Sequence, residues 1–196
     1  MQYVHDAGFP VPRVHDHPDP TVTVMDRVDG PTMMEDLAAH PWRLRQHAET
    51  LASLHQQLRT IEPPPGLRRL GPGQEFLHLD LHPNNVILSD DGPMLIDWSN
   101  AAVGSGDLDV ALTWVFIKTG PITANAMIKP VLETLRDQFV KAFERAAGEA
   151  RIRANATAAA ELRLLDDNLL ASERDEVFRL ARQLQDRPLH SRTDDA

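Results

Sequence analysis

The stretch 76-FLHLDLHPNNVILSDDGPMLIDWSN-100 sets a short apolar strand, Phe76 to Leu79, before a polar loop and two β-rich arms. The arms are Val86-Ile87-Leu88 and Met94-Leu95-Ile96. Ser89-Asp90-Asp91-Gly92-Pro93 joins them, a turn signal between runs of strand formers. Pairing centred on Asp91 sets position 85 opposite position 97, since each lies six residues from that centre. Asn85 and Asp97 are then expected as cross-strand neighbours, with Cα atoms about 4.5–5.5 Å apart. An amide oxygen and a carboxylate so placed suit one hard cation. Mg²⁺ takes one or two protein oxygens and completes its octahedron with water and phosphate oxygens. Asp80, five residues before Asn85, faces the same site in a different role.

The pattern His78-x-Asp80-x-x-x-x-Asn85, followed by an apolar strand and Ile96-Asp97-Trp98, resembles the catalytic and metal-binding loops of kinase-fold enzymes. The closer resemblance is to the aminoglycoside phosphotransferase and choline kinase-like small-molecule kinases. Protein kinases carry Arg after that His and D-F-G at the later motif. Here Leu79 follows His78 and Trp98-Ser99 follows Asp97, a variation usual in the small-molecule branch. The resemblance implies that Asp80 orients and deprotonates an acceptor hydroxyl, while Asn85 and Asp97 hold Mg²⁺ against the phosphates of ATP or GTP. It implies that His78 braces the loop. The reaction expected is transfer of the terminal phosphate of a nucleoside triphosphate to a hydroxyl of a small molecule.

Other readings compete. A non-catalytic or truncated kinase-like protein would keep the pocket and only bind. A metal hydrolase would use His78-x-Asp80-x-His82, since a strand puts alternate residues on one face; that reading leaves Asn85 and Asp97 unexplained. In plain structural terms, Asp and Asn in a loop are turn formers. His82-Pro83-Asn84 reads as a turn, with Asn84 suited to a left-handed conformation.

The chain has 196 residues, 42% of them hydrophobic, enough for one domain or a little more with a real core. It contains no cysteine, which excludes disulfide and thiolate chemistry. A net charge of −9 argues against a nucleic-acid partner. That charge suits a cationic acceptor, and equally a role in solubility alone. No apolar run approaches the roughly 18 residues of a membrane span, and MQYVHDAGF does not read as a signal peptide. A cytoplasmic protein with a small-molecule partner is expected.

Before the quoted stretch, Met1 to Gly8 reads as the end of a helix closed by Gly8. Pro10 and Pro12 stop it, and Val11 to Asp16 and Thr21 to Met25 read as strands. His15 and His17 between them read as a polar hairpin loop, with metal binding the alternative. Met25-Asp26-Arg27-Val28-Asp29-Gly30 resembles the kinase-fold hinge, which implies that the backbone of Met25, Asp26, Arg27 and Val28 contacts the nucleotide base. Thr32-Met33-Met34-Glu35 fits a capping box. Pro41 to Ile61 reads as a helix with Leu44, Ala48, Leu51, Leu54 or His55, and Leu58 facing the core, His55 as a satisfied core histidine.

After the quoted stretch, Ala101 to Gly106 reads as a flexible segment and Leu108 to Lys118 as a buried helix. Gly104 and Asp109 match the Gly and Asp of the family's G-x-x-x-x-D-L-A element. The resemblance implies that Asp109 braces the catalytic loop through backbone hydrogen bonds; an ordinary helix-start acid is the alternative. Helices are expected over Ala126 to Ala147 (Ile128, Val131, Leu132, Leu135, Phe139 and Phe143 on one face), Ala150 to Leu170 and Ser172 to Gln185. Glu133, Asp137, Glu144, Asp166 and Asp167 read as solvated faces, with the lining of a cationic pocket as the alternative.

The fold class expected is therefore α+β and protein-kinase-like. Residues 1–30 would be a remnant of the N-lobe sheet with the hinge, residues 31–187 a helical C-lobe carrying the catalytic hairpin, and residues 188–196 a frayed tail. No Gly-rich hairpin, strand Lys or helix Glu precedes the hinge, and the lysines at 118, 129 and 141 lie outside such a motif. The chain alone is accordingly expected to be poorly active.

Overall fold

In the computed structural model, the described residues are 1–19, 21–122 and 124–186; the tail expected at 188–196 lies outside them. Helix α1 (Gln2–Asp6) closes as a Schellman motif. Phe9 N–H donates to Val4 O and Gly8 N–H to His5 O, each at 2.9 Å. Gly8, at φ +80, is the left-handed residue this closure requires. Val4, Phe9 and Val11 are buried in the same apolar cluster as the later helices. The first dozen residues therefore pack with the helical body.

The two strands that follow are shorter than their alternation suggests. β1 (Val14–His15) and β2 (Val24–Met25) pair over two residues each, Val14 with Met25 and His15 with Val24. Val22, Val24 and Met25 are exposed, so this hairpin has no apolar face to extend it, and isolated hairpins are marginal. Past the hinge segment the backbone lies against a later strand. Gly30 has φ +145, and a Cβ there would fall 2.1 Å from the Leu88 carbonyl oxygen. Gly30→Ala is expected to cost about 1–3 kcal/mol; a urea midpoint equal to wild type would contradict this.

The capping box forms as expected. Thr32 Oγ1 accepts the Glu35 N–H (3.1 Å) and Glu35 Oε2 accepts the Thr32 N–H (2.7 Å), opening α2 (Met33–Ala39). A 3-10 turn at Pro41–Arg43 leads into α3 (Leu44–Leu58). Ala48, Leu51, Leu54, His55 and Leu58 are buried along it. Asp36 ties the two helices together. It accepts from His47 Nε2 (2.7 Å), His40 Nδ1 (2.8 Å) and Arg43 (2.9 Å). Those partners, His47 foremost, hold the Asp36 carboxyl below the usual range against the effect of burial.

A three-stranded sheet corrects one expectation. Ala101 to Gly106 is not a flexible segment: Ala102–Gly104 is β7, buried and central. It runs parallel to β3 (Arg69–Leu70) and antiparallel to β4 (Glu75–Leu77). Small residues permit the close approach, for a Cβ on Gly104 would sit 2.5 Å from Leu70 O. β4 ends before His78 rather than at Leu79, because Leu79 turns to φ +64.

The expected hairpin exists, with a different register. β5 (Val86–Ser89) and β6 (Gly92–Leu95) pair Ser89 with Gly92 and Val86 with Leu95. The turn is thus the two residues Asp90-Asp91, the shortest common hairpin connection, and not five. Asn85 therefore faces Ile96, whose N–H donates to Asn85 O at 2.9 Å. The expected pairing of Asn85 with Asp97 is wrong by one residue.

The helical body is built on α4 (Gly106–Thr119), buried nearly all round and packed against α3, α5 (Lys129–Ala147), α6 (Glu149–Leu164) and α7 (Ala171–Gln185). Glu75 Oε2 accepts the Gly106 N–H at 2.7 Å and so caps α4. On α5, Phe139 and Phe143 are buried as expected, but Val131 in its first turn and the N-cap residue Ile128 are exposed. α6 stops at Leu164, short of Leu170, and α7 begins at Ala171 with Ser172 already inside it.

Candidate active site

The polar loop after β4 hangs from the first turn of α4. Asp109, 2% exposed, accepts the His78 N–H on Oδ2 (2.9 Å) and the Leu79 N–H on Oδ1 (2.8 Å). Burial raises its pKa, and the two amides only partly offset that. Leu79 and Asp97 are the non-glycine residues with positive φ among those described, at +64 and +62. Such conformations cost about 1–3 kcal/mol each and persist where the surroundings over-determine them. For Leu79 the surroundings are the Asp109 carboxylate and its own buried side chain.

His78 is fully buried and spends both ring nitrogens on the loop. Nδ1 accepts the Asp80 N–H (3.2 Å), and Nε2–H donates to Ile96 O (3.1 Å). Trp98 packs edge-on at 4.7 Å. Burial lowers the His78 pKa to about 4, so the ring stays neutral. With both nitrogens engaged it has no lone pair for a metal, which removes the physical basis of the His78-x-Asp80-x-His82 hydrolase reading. His55 behaves similarly. It is buried, its pKa lowered to about 3 by desolvation, and its Nε2 meets Thr113 Oγ1 at 2.9 Å. Thr113 in turn donates to Leu81 O (2.6 Å). Thr113 escaped the sequence reading, although it lies one helical turn after Asp109 and so shares its face.

These histidines carry a pH dependence. Their folded pKa values lie below the unfolded 6.5, so the unfolded state takes up protons first as the pH drops. Stability is fully present above about 6.5 and is lost on acidification toward 4, by up to roughly 1.4 kcal/mol per pH unit for each ring. Asp109, with its raised pKa, opposes this trend at the acid end. Urea midpoints at pH 7, 6 and 5 should fall in that order; a flat profile would contradict the assignment of both rings as neutral and buried.

Asp80 sits at the rim, part-buried. Burial pushes its pKa up, but the His82 hydrogen bond and charge, the nearby His78 and the Asn85 amide outweigh it, and the carboxyl lies below the usual range. His82 Nδ1 accepts the Asn84 N–H (3.3 Å), leaving Nε2–H to face Asp80 Oδ1 at 3.3 Å. Asn85 Nδ2 donates to Asp80 O (2.9 Å) and Oδ2 (3.0 Å). The Asn85 side-chain oxygen carries no hydrogen bond among the described residues. Asp97 is exposed just past β6, with Oδ1 accepting the Ser99 O–H at 2.6 Å.

The loop thus brings His78, Asp80, Asn85 and Asp109 together, and Ile96, the residue before Asp97, bonds both His78 and Asn85 through its backbone. The hinge residues stand apart in their side-chain bonding. Asp26 meets His15 Nε2 at 2.6 Å and Arg27 meets Asp29 at 2.8 Å, while Met25 is exposed and Val28 half-buried. Among the described residues, His17 bonds only the Asp19 backbone, its Nδ1 accepting the Asp19 N–H at 3.2 Å. His15 and His17 therefore serve separate partners, as a polar loop would have them.

A helical body carrying this hairpin, with its loop hung from a buried helix-start carboxylate, has the protein-kinase-like α+β architecture. Solved structures agree: 32 chains match. Among them is amicoumacin kinase hAmiN in complex with AMP-PNP, Ca²⁺ and Ami, at 14% identity and TM-score 0.54 over 94% of this chain and 75% of that one. The model of the phosphotransferase enzyme family (APH) matches residues 67–154, the segment from β3 through the catalytic loop into α6. Over residues 67–154 the chain is thus similar to this phosphotransferase family, and its fold is the protein-kinase-like one. No curated protein matches it.

Proposed function

We propose that this chain moves the terminal phosphate of ATP or GTP to a hydroxyl of a small molecule, with Asp80 as the base. The observation that carries this reading is the state of Asp80: a rim carboxylate held ionised and oriented by His82 and Asn85. Its backbone N–H is fixed by a ring that cannot titrate near neutrality. An ionised, fixed carboxylate within reach of solvent accepts the acceptor's proton as the oxygen attacks phosphorus, while the β–γ bridging oxygen leaves with the nucleoside diphosphate. Asp109 acts by positioning, through the His78 and Leu79 amides. Catalysis of this type is mostly positioning.

The residues present fit a divalent cation. Asn85 presents its free side-chain oxygen beside Asp80, and Asp97 is an exposed carboxylate on the residue after Ile96. These two are proposed as ligands of Mg²⁺, which when bound would neutralise charge on the nucleotide phosphates. The backbone of Met25 to Val28 is proposed to receive the base. A small-molecule partner and a cytoplasmic setting accord with this reading; no helix of the described residues is long and apolar enough to cross a membrane.

The test is ADP or GDP release over a panel of alcohols, run with Mg²⁺ and again with EDTA. Release that depends on both the alcohol and the metal supports the reading. Chelation is expected to abolish turnover and added Mg²⁺ to restore it. Nucleotide binding by calorimetry without any release would support the binding-protein alternative instead.

A further inference from the structure

The cavity beside the catalytic loop has a chemical character that the chain as a whole does not share. It encloses about 460 Å³ between α2, the His82–Asn84 turn, the end of α4 and the face of α5, the size of a small-molecule site. Its walls are largely apolar, with Leu37, Leu44, Phe116, Leu132, Leu135 and Phe139 among them. His82 connects it to Asp80: the ring lines the cavity, packs at a tilt against Phe116 with centroids 5.0 Å apart, and meets Asp80 Oδ1 at 3.3 Å.

Three formal charges line the cavity: Arg136, Arg163 and Glu173. Arg163 lies over the Phe116 ring at 4.4 Å and forms an ion pair with Asp166. Glu173 accepts the Leu170 N–H at 3.2 Å. Arg136 differs from both. Among the described residues its guanidinium has one long bond, to Gly120 O at 3.4 Å, no ion-pair partner, and a buried Nε without any hydrogen bond. Of the acids that might have made a cationic pocket, Glu133, Asp137, Glu144, Asp166 and Asp167 line none of it. Glu144 instead accepts from Trp114 Nε1 at 2.8 Å. The protein carries a net charge of −9, yet among the described residues Arg136 lines this cavity without an ion-pair partner; the one lining acid, Glu173, accepts a backbone N–H and does not pair with Arg136.

Resting on the phosphotransfer reading of the adjacent loop, we infer that the acceptor is an apolar alcohol bearing one anionic group, whose carboxylate or equivalent oxygens pair with Arg136, and not a polycationic aminoglycoside. An apolar wall binds a hydrophobic body without regard to charge, so discrimination falls to the unpaired guanidinium. Guanidinium is built for carboxylate-type oxygens. A polycation would leave Arg136 unpaired and add like charges beside it.

The test uses the 196-residue chain without nucleotide, so that its outcome is independent of phosphoryl transfer. Three matched probes are titrated by calorimetry: 6-(hydroxymethyl)-2-naphthoate, its primary amide, and the 2-aminomethyl analogue. The carboxylate is expected to bind at least about tenfold more tightly than the ammonium compound. Its advantage should shrink in about 0.5 M salt, since screening weakens a partly exposed pair. In Arg136→Gln the carboxylate's preference over the amide should fall to about twofold or less. Equal affinity for carboxylate and ammonium, or no binding of any probe at about 5 mM, a Kd weaker than specific recognition requires, overturns the inference. If the variant does not fold, the wild-type comparison of charge and salt decides alone. Tight carboxylate binding with no ADP release on adding nucleotide would sink the phosphotransfer reading and leave only the cavity's preference for an anionic ligand at Arg136 standing.

Discussion

Asp80→Ala should lower alcohol-dependent ADP release by about 10²–10⁴-fold, the usual contribution of a positioned general base. The fold should survive, because the Asp80 side chain is at the rim and its backbone N–H still meets His78 Nδ1. Its two side-chain partners, His82 and Asn85, are part-buried and can turn to water. Asp80→Asn separates charge from shape: it keeps the size and loses the basicity, and should be nearly as inactive. Turnover equal to wild type in either variant would remove Asp80 from the base role. A loss matched by an equal loss of thermal stability would instead make it a structural residue.

Asp109→Ala should have the largest effect on the fold. It strips the acceptors from two buried amides, those of His78 and Leu79. An orphaned buried donor costs about 1–3 kcal/mol, so the pair amounts to roughly 2–6. Leu79 at φ +64 adds to this, for the carboxylate is part of what holds that conformation. A thermal midpoint lower by about 5–15 °C follows for a domain of this size. Asp109→Asn should fall between, since its carbonyl serves one amide while its NH₂ opposes the other. Turnover should drop in parallel with loop order, which hydrogen exchange at His78 and Leu79 would report. Midpoints within about 2 °C of wild type for the Ala variant would show that the loop does not hang from α4.

Much of this architecture was legible because it is local. The capping box at Thr32, the closure at Gly8 and the apolar faces of α3 and α4 follow from side-chain period and end chemistry within a few residues. The hairpin arms were legible for the same reason, and the His78, Asp80, Asn85 and Asp97 pattern falls within the segment that the family model matches. The failures are equally physical. The register slipped by one because a two-residue turn and a five-residue turn leave the same apolar runs on either side. β7 was invisible because Ala-Val-Gly has no alternation to read; its identity lies in strands 25 to 35 positions earlier.

The sequence by itself determined which residues are the candidates for the chemistry and that they stand on a strand, loop and hairpin before a buried helix, since spacing and periodicity are properties of the chain alone. Tertiary structure alone decided what each polar group meets. It set the Asp109 carboxylate under the His78 and Leu79 amides, both histidines in places that keep them neutral, and His82 against Asp80. It also left Arg136, among the described residues, without an ion-pair partner in a largely apolar cavity of an acidic protein. Burial and partnership depend on residues distant in sequence, and the sum of charges along a chain does not say which of them face one another.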